Sequence, residues 1–323
     1  MTALRRLTAA ALLSALLASP AQAAGDFGSW LRELRQEAAS AGISARTLDA
    51  ALTGIAPIPR VLELDRKQPE GTMTYEQYRT RILSETRIAN GRSNLQRHRA
   101  MLDQVSQRYG VPAKVIVALW GIETAYGTNM GSFSIVEALA TLAYDGRRSE
   151  YFRKELLAAL KIIDQGDISA AAMKGSWAGA MGQSQFMPTS YQSYAVDFNG
   201  DGRRDIWGTQ ADVFASAANY LAKAGWKSGV AWGQAVVLPA GFDPGLVTLD
   251  TRKPLADWLK AGVRLTGNGN ALGASSGLSL VQPGGASGPT FLVSENYRAI
   301  LRWNRSSYFA TSVGQLADLI GAP

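Results

Sequence analysis

No cysteine occurs in the 323 residues, and His98 is the single histidine. Disulfide staples are therefore excluded, as are the usual zinc sites, which need several Cys or His ligands. The fold has to come from apolar packing. With 46% hydrophobic and 18% charged residues, the chain has enough apolar material for one large core or two to three packed subdomains. Thiol chemistry is excluded as well, so any acid/base catalyst is expected to be a carboxylate. His98 lies in the polar string Gln96-Arg97-His98-Arg99 and is expected at the surface.

Arg5 and Arg6 precede the apolar run Leu7 to Leu17 and then Pro20-Ala21-Gln22-Ala23, the charged, apolar, small-residue order of a secretory signal. Cleavage is expected after Ala23. A membrane-spanning helix needs about 20 apolar residues, more than this run supplies. Without a cysteine no lipid can be attached at the cleavage site, so the mature chain is expected to be periplasmic and without a membrane anchor. The formal net charge of +7 falls to +5 without the two signal arginines. Such an excess suits nucleic acid, a membrane surface or another polyanion. Its scattered distribution and the export signal point away from nucleic acid and toward a carboxylate-bearing cell-wall polymer.

Apolar residues recur at three- and four-residue spacing from Asp26 to Leu52 and from Tyr75 to Tyr109, with Gly42 and Gly110 as stops, which predicts helices. Pro57, Pro59 and Pro69 mark the connection between them. A stronger helix is expected from Val111-Pro112 to Gly127, with Val115, Leu119, Ile122 and Tyr126 on one stripe. Further helices are expected at Ile135 to Ala143, Ser149 to Ile163, Pro188 to Ala195 and Ala211 to Ala224. From Gly229 to Ser294 Gly, Pro and Ser alternate with short β-prone runs such as Val236-Val237-Leu238 and Thr290-Phe291-Leu292-Val293. Helical spacing returns from Glu295 to Leu319.

Three segments carry chemistry. In Leu119-Trp120-Gly121-Ile122-Glu123-Thr124-Ala125-Tyr126-Gly127 a carboxylate falls beside Ile116 and Leu119, on the edge of the buried stripe. Such surroundings disfavour ionisation and raise the pKa toward the range of a general acid, although a lone helical Glu is more often solvated. Lys174 to Tyr191 mixes small residues with neutral hydrogen-bonding groups (Ser176, Gln183, Gln185) and aromatics, a mixture that suits sugars and equally a tightly packed loop. Asp197, Asn199, Asp201 and Gly202 match the start of an EF-hand calcium loop, but the twelfth position is Gly208, and Asp212 closes a metal site only in a longer loop. A polar turn without metal is the alternative.

The Trp-Gly-Ile-Glu-Thr helix, Ala138-Leu139-Ala140-Thr141-Leu142, Tyr151-Phe152, the Lys174 to Tyr191 and Asp197 to Trp207 segments, Asn219-Tyr220 and Asn296 through Asn304 together resemble the lytic murein transglycosylase B family, family 103 of the glycoside hydrolases. The resemblance spans nearly all of the mature chain. It implies a mainly α fold: a lysozyme-like helical core with a flanking helical domain and a small β-rich subdomain. The corresponding division is signal peptide 1–23, N-terminal helical domain 24–110, catalytic core 111–228, β-rich subdomain 229–294 and a helical return over 295–323. Carried over by position, Glu123 is the acid/base, and Ser176, Gln185, Tyr151, Tyr220, Tyr78 and Asn296 line the sugar groove. Asp197, Asn199, Asp201, the carbonyl of Arg203 and Asp212 are the implied ligands of a structural Ca2+, with no organic cofactor. The chain is expected to depart from the family pattern in lacking a lipid-anchor cysteine and an appended peptidoglycan-binding module.

The implied reaction is non-hydrolytic cleavage of peptidoglycan between N-acetylmuramic acid and N-acetylglucosamine, leaving 1,6-anhydro ends. Ordinary glycosidases use two carboxylates, and no second acid has a comparable apolar setting; Glu137, Asp145 and Glu150 sit among helix ends and charged turns. A hydrolytic muramidase and a non-catalytic, calcium-stabilised cell-wall binding protein are the competing readings.

Overall fold

The computed structural model describes residues 26–67, 73–267, 272–273, 275 and 277–322. The expected signal segment 1–23 and Pro69 lie outside them. Fourteen α-helices are present among the described residues: α1 Phe27–Ser40, α2 Ala45–Leu52, α3 Pro59–Arg66, α4 Tyr75–Ile82, α5 Glu85–Arg97, α6 Arg99–Tyr109, α7 Ala113–Thr124, α8 Ile135–Asp145, α9 Ser149–Asp164, α10 Pro188–Tyr194, α11 Gln210–Lys223, α12 Leu255–Lys260, α13 Glu295–Trp303 and α14 Ser307–Gly321. A two-stranded antiparallel pair joins β1 (Phe133–Ser134) to β2 (Lys174–Gly175), and a four-stranded antiparallel sheet runs in the order β4 (Arg264–Leu265), β3 (Gly233–Val237), β6 (Thr290–Val293), β5 (Ser279–Val281). The two runs read as β-prone from sequence are neighbours in it, with Ala235 opposite Phe291.

Gly110 closes α6 with a left-handed φ of 70°, and Pro112 caps the start of α7, where its missing N–H is no loss. The sequence predicts one buried stripe on α7. Instead every residue from Val115 to Gly121 is buried, because α5, α6, α11 and α14 all pack around the helix. At about 1.5–3 kcal/mol per fully buried large apolar side chain, this helix is a principal support of the body. His98 also departs from expectation. It is half-buried, with its ring edge-on to Trp120 and Phe214 at 5.9 and 5.4 Å, and burial lowers its pKa.

Two large apolar cores and one small one result. The first joins α6, α7, α11, α13 and α14; the second joins α1 to α3 with α8, α9 and the chain from Met173 to Ile206; the third lies under the four-stranded sheet around Trp258, Leu278 and Leu280. The proline-marked connection contains α3, which opens on Pro59 at its first turn. Asp65 of α3, only 3% exposed, accepts from Arg147 Nε at 2.8 Å and Arg148 at 2.6 Å, tying this helix to the turn between α8 and α9. Burial works to raise its pKa, yet the two guanidinium groups hold it below the ordinary carboxylate range.

Candidate active site

Helix α7 ends in a strained turn that fixes Glu123. Ala125, Tyr126 and Gly127 take successive positive φ values of 49°, 63° and 81°, a conformation that costs roughly 1–2 kcal/mol for each residue bearing a Cβ. Neighbours hold it in place. The Tyr126 hydroxyl donates to the Arg87 carbonyl at 2.6 Å, and its ring lies where a side chain at Gly121 would have to be. Thr124 Oγ1 accepts from Gly127 N at 3.1 Å and lies 3.0 Å from the Gln183 carbonyl, to which it donates.

The Glu123 carboxyl meets the end of α13. Trp303 Nε1 donates to Glu123 Oε1 at 2.7 Å, across 180 residues of sequence. The Trp303 ring is itself set against Tyr220 at 4.8 Å and Phe186 at 5.2 Å, and Tyr194 continues the aromatic row at 4.3 Å from Tyr220. Behind the carboxyl lies a small pocket walled by Ile116, Leu119, Trp120, Val213 and Phe214, with Gln183 and Ser184 as its neutral polar members. Burial pushes the Glu123 pKa up to about 7, against the lowering effect of the Trp303 hydrogen bond. The negative end of the α7 dipole acts in the same direction as burial.

The other residues expected at the site differ in where the fold puts them. Tyr78 is close enough that the Glu123 charge reinforces the effect of burial, which together raise its pKa to about 12. Tyr220 packs against Trp303 with the rings tilted by 60° and donates its hydroxyl to the Arg302 carbonyl at 2.6 Å. Ser176 and Gln185 belong to the loop that supplies Gln183 and Ser184: Ser176 Oγ accepts from Ala180 N at 3.0 Å, and Gln185, at φ 48°, donates to the carbonyls of Gly182 and Met130. Tyr151 is different, 47% exposed on α9 with its ring edge-on to Phe152. Asn296 needs correction. It is fully buried, its amide oxygen accepts from Lys227 N, and its amide nitrogen donates to the carbonyls of Lys227 and Val230. With its polar atoms committed to stapling the 227–230 turn, it has no free face for a sugar.

Trp303 escaped the sequence reading. It sits at the end of an amphipathic helix, where an aromatic residue is ordinarily read as core, and nothing local links it to Glu123.

The 197–212 loop is drawn inward by its own acids. Asp197 accepts from the backbone N–H of Gly200 at 2.7 Å and of Gly202 at 2.8 Å, while Asp201 accepts from Arg203 N at 2.9 Å and from the Asn199 amide at 3.0 Å. Asp212, fully buried on α11, accepts from Phe198 N at 2.8 Å and Asp205 N at 2.9 Å, bridging the two sides of the loop. Asp212 thus reaches the loop despite Gly208 at the twelfth position. The donors are all oxygens, the chemistry calcium takes. Among the described residues, however, no three acidic or histidine side chains gather as a metal cage.

The Transglycosylase SLT domain family matches residues 26–318. This chain belongs to the lytic transglycosylase family. Membrane-bound lytic murein transglycosylase B of Escherichia coli (strain K12) is 35% identical over 262 residues, 79% of this transglycosylase and 70% of the relative. The crystal structure of SltB3 from Pseudomonas aeruginosa in complex with NAG-anhNAM-pentapeptide is 48% identical and superimposes with a TM-score of 0.88, matching 92% of this chain and 80% of that one. The Escherichia coli lytic transglycosylase Slt35, solved in complex with calcium, is 31% identical with a TM-score of 0.78, over 92% and 94% of the two chains. The helical body of this transglycosylase is accordingly the lysozyme-like fold of that family, carrying small antiparallel sheets.

Proposed function

We propose that this transglycosylase cleaves the β-1,4 bond between N-acetylmuramic acid and N-acetylglucosamine of peptidoglycan outside the cytoplasm, with Glu123 acting first as acid and then as base. The observation that carries the reading is a carboxyl whose burial lifts its pKa to about 7 and on which, among the described residues, no second carboxylate acts. Protonated Glu123 gives its proton to the leaving N-acetylglucosamine oxygen as the bond from the muramoyl anomeric carbon breaks. The substrate's own N-acetyl oxygen stabilises the charge left on that carbon. Glu123, now a carboxylate, takes the proton of the muramoyl C6 hydroxyl, whose oxygen closes the 1,6-anhydro ring and restores the protonated acid. No water enters. A nucleophile already held on the substrate has the proximity advantage that free water lacks, and the anhydro sugar bound by SltB3 supports the same outcome.

Mass spectrometry of digested sacculi tests this directly: the fragments are expected to end in 1,6-anhydro-N-acetylmuramic acid, one water lighter than the hydrolytic product. A predominance of reducing-end muramic acid would make the enzyme a muramidase. In this reading residues 111–228 are the catalytic core, and Ser176, Gln185, Tyr78, Tyr151 and Tyr220 contact the glycan. The order of Arg5-Arg6, the apolar run and Ala21-Gln22-Ala23 supports export to the periplasm by a cleavable signal. No described helix is long and apolar enough to cross a membrane.

A structural Ca2+ fits the loop by donor chemistry, and Slt35 with its calcium supports the assignment. Asp197, Asn199, Asp201, the Arg203 carbonyl and Asp212 would hold the ion, whose charge would relieve the crowding of acids there. Binding to the native state alone adds about 2.7 kcal/mol at a hundredfold excess over Kd. The melting midpoint is therefore expected to rise by several degrees when calcium replaces chelator, and the rise to vanish in Asp212→Ala. A midpoint indifferent to chelator would dismiss the ion, and a full calcium response in Asp212→Ala would dismiss Asp212 as a ligand.

A further inference from the structure

We infer that Trp303 is the positioning residue of the acid/base: its indole N–H engages Glu123 Oε1 and thereby reserves Oε2 as the oxygen that carries the catalytic proton. The inference rests on the reading of Glu123 as that acid. An indole is a hydrogen-bond donor only. Its Nε1–H donates and cannot accept, so the oxygen 2.7 Å away is an acceptor in both charge states of the carboxyl. A carbonyl oxygen accepts more strongly than a hydroxyl oxygen, so a proton on Oε1 would weaken this bond. When Glu123 is protonated, the proton belongs on Oε2, and only that oxygen is free to give it up and to take it back.

The donor is well anchored. Trp303 closes α13, its ring lies against Phe186 and Tyr220, the Tyr220 hydroxyl is bound to the Arg302 carbonyl, and the Arg302 guanidinium donates to the Ala224 carbonyl at the end of α11. The indole is thus referenced to α11 and α13, whereas Glu123 is referenced to α7. The bond joins two supports that the sequence brings together only in the fold, and it fixes the direction in which the carboxyl presents its second oxygen.

The hydrogen bond also favours the carboxylate, opposing burial. The groups around Glu123 leave this opposition clear to read. From α4 comes Tyr78, and from α11 Tyr220, both with hydroxyl pKa values pushed up to about 12 by burial. From α5 comes Arg87, whose guanidinium donates to the carbonyls of Gly121, Arg81 and Ile82, and from the 176–186 loop come the uncharged Gln183 and Ser184. The two tyrosines stay neutral near pH 7 and Gln183 and Ser184 carry no charge, while His98, behind Trp120 and Phe214, has its pKa lowered by burial, so Glu123 is the group whose own pKa lies at about 7.

The test is Trp303→Phe, which removes the N–H and keeps an aromatic ring, with benzothienylalanine at position 303 as a near-isosteric partner lacking the same hydrogen. Turnover of purified sacculi is measured against pH. The first step needs protonated Glu123, so activity of the parent falls as pH rises through about 7. Without the donor that limb is expected to move alkaline by about one unit, a tenfold change in the ionisation constant, while kcat falls at least about tenfold at the plateau and KM changes less than about threefold. A limb that stays in place in both variants would overturn the inference, as would a raised KM with kcat intact, which describes a groove wall. Glu123→Gln run alongside separates the two levels. If it keeps turnover, the acid/base reading itself has failed; if it loses turnover while the limb of Trp303→Phe is unmoved, only the role of Trp303 has.

Discussion

Glu123→Gln is expected to lower turnover of sacculi by at least about a hundredfold, within the range a positioned acid/base contributes, while leaving glycan binding in place. The amide keeps the shape of the carboxyl and still offers an oxygen to Trp303 Nε1, so the aromatic row and the small pocket behind Glu123 need not rearrange. What it lacks is a transferable proton. Activity above a tenth of the parent would remove Glu123 from its proposed role. The same substitution should move stability the other way. Burial holds the Glu123 pKa at about 7, above its ordinary 4.5, so the native protein is fully favoured below the unfolded value and loses that advantage as pH rises through the folded one. Two to three units correspond to about 3 kcal/mol. Urea melts at pH 8 are expected to show Glu123→Gln the more stable protein by roughly that amount, and melts near pH 4.5 to show no difference. Equal stability at both pH values would mean that the carboxyl is better solvated than its surroundings imply.

Much of the scaffold could be read without coordinates because its helices are amphipathic and their stops are local. α8, α9, α10 and α11 fall within two residues of their expected bounds, since Ser134 and Gly146 cap the two ends of α8 and Pro188 opens α10. α3 was hidden because prolines read as connection, although Pro59 at a first turn is compatible with a helix. Burial all round α7 was hidden for a different reason. Its sequence is apolar on more than one face, but how many neighbours cover it depends on α14 and α11, which lie one to two hundred residues downstream.

The site divides along the same line. The apolar setting of Glu123 follows from its own helix, and the shared loop of Ser176 and Gln185 follows from a contiguous segment. Trp303 and the true place of Asn296 do not. Both lie on α13, and spacing along that helix identifies a buried face without saying whether an amide on it will meet a sugar or a turn. Asn296 meets the turn at 227–230, while the indole of Trp303, seven residues on, meets the carboxyl. Polar side chains that serve the fold and those that serve the chemistry carry the same signature until their partners are known.

Gly131→Ala is expected to cost about 3 kcal/mol and to slow turnover as well. Gly131 lies at φ 88°, where an alanine carries a penalty of roughly 1–2 kcal/mol. A Cβ there would also stand 2.2 Å from the Gly175 carbonyl oxygen and 2.7 Å from Ser176 N, both backbone atoms with no rotamer to yield. Such overpacking adds roughly 1–3 kcal/mol. Gly146→Ala is the control, because its φ of 89° is the same and no atom lies within 4 Å of its Cβ, leaving the conformational penalty alone. The difference between the two variants in urea denaturation isolates the close approach. Its consequence for activity follows from what is built on it: Gly175 pairs with Phe133, Met130 accepts from the Gln185 amide, and the segment from Ser176 to Phe186 carries the neutral polar wall of the Glu123 pocket. Forcing residues 131 and 175 apart displaces that wall relative to α7, and a shift of about 1 Å can cost up to a hundredfold in turnover. If Gly131→Ala melts with Gly146→Ala and turns over like the parent, the 174–186 loop is free to give way, and the rigidity ascribed to it here is wrong.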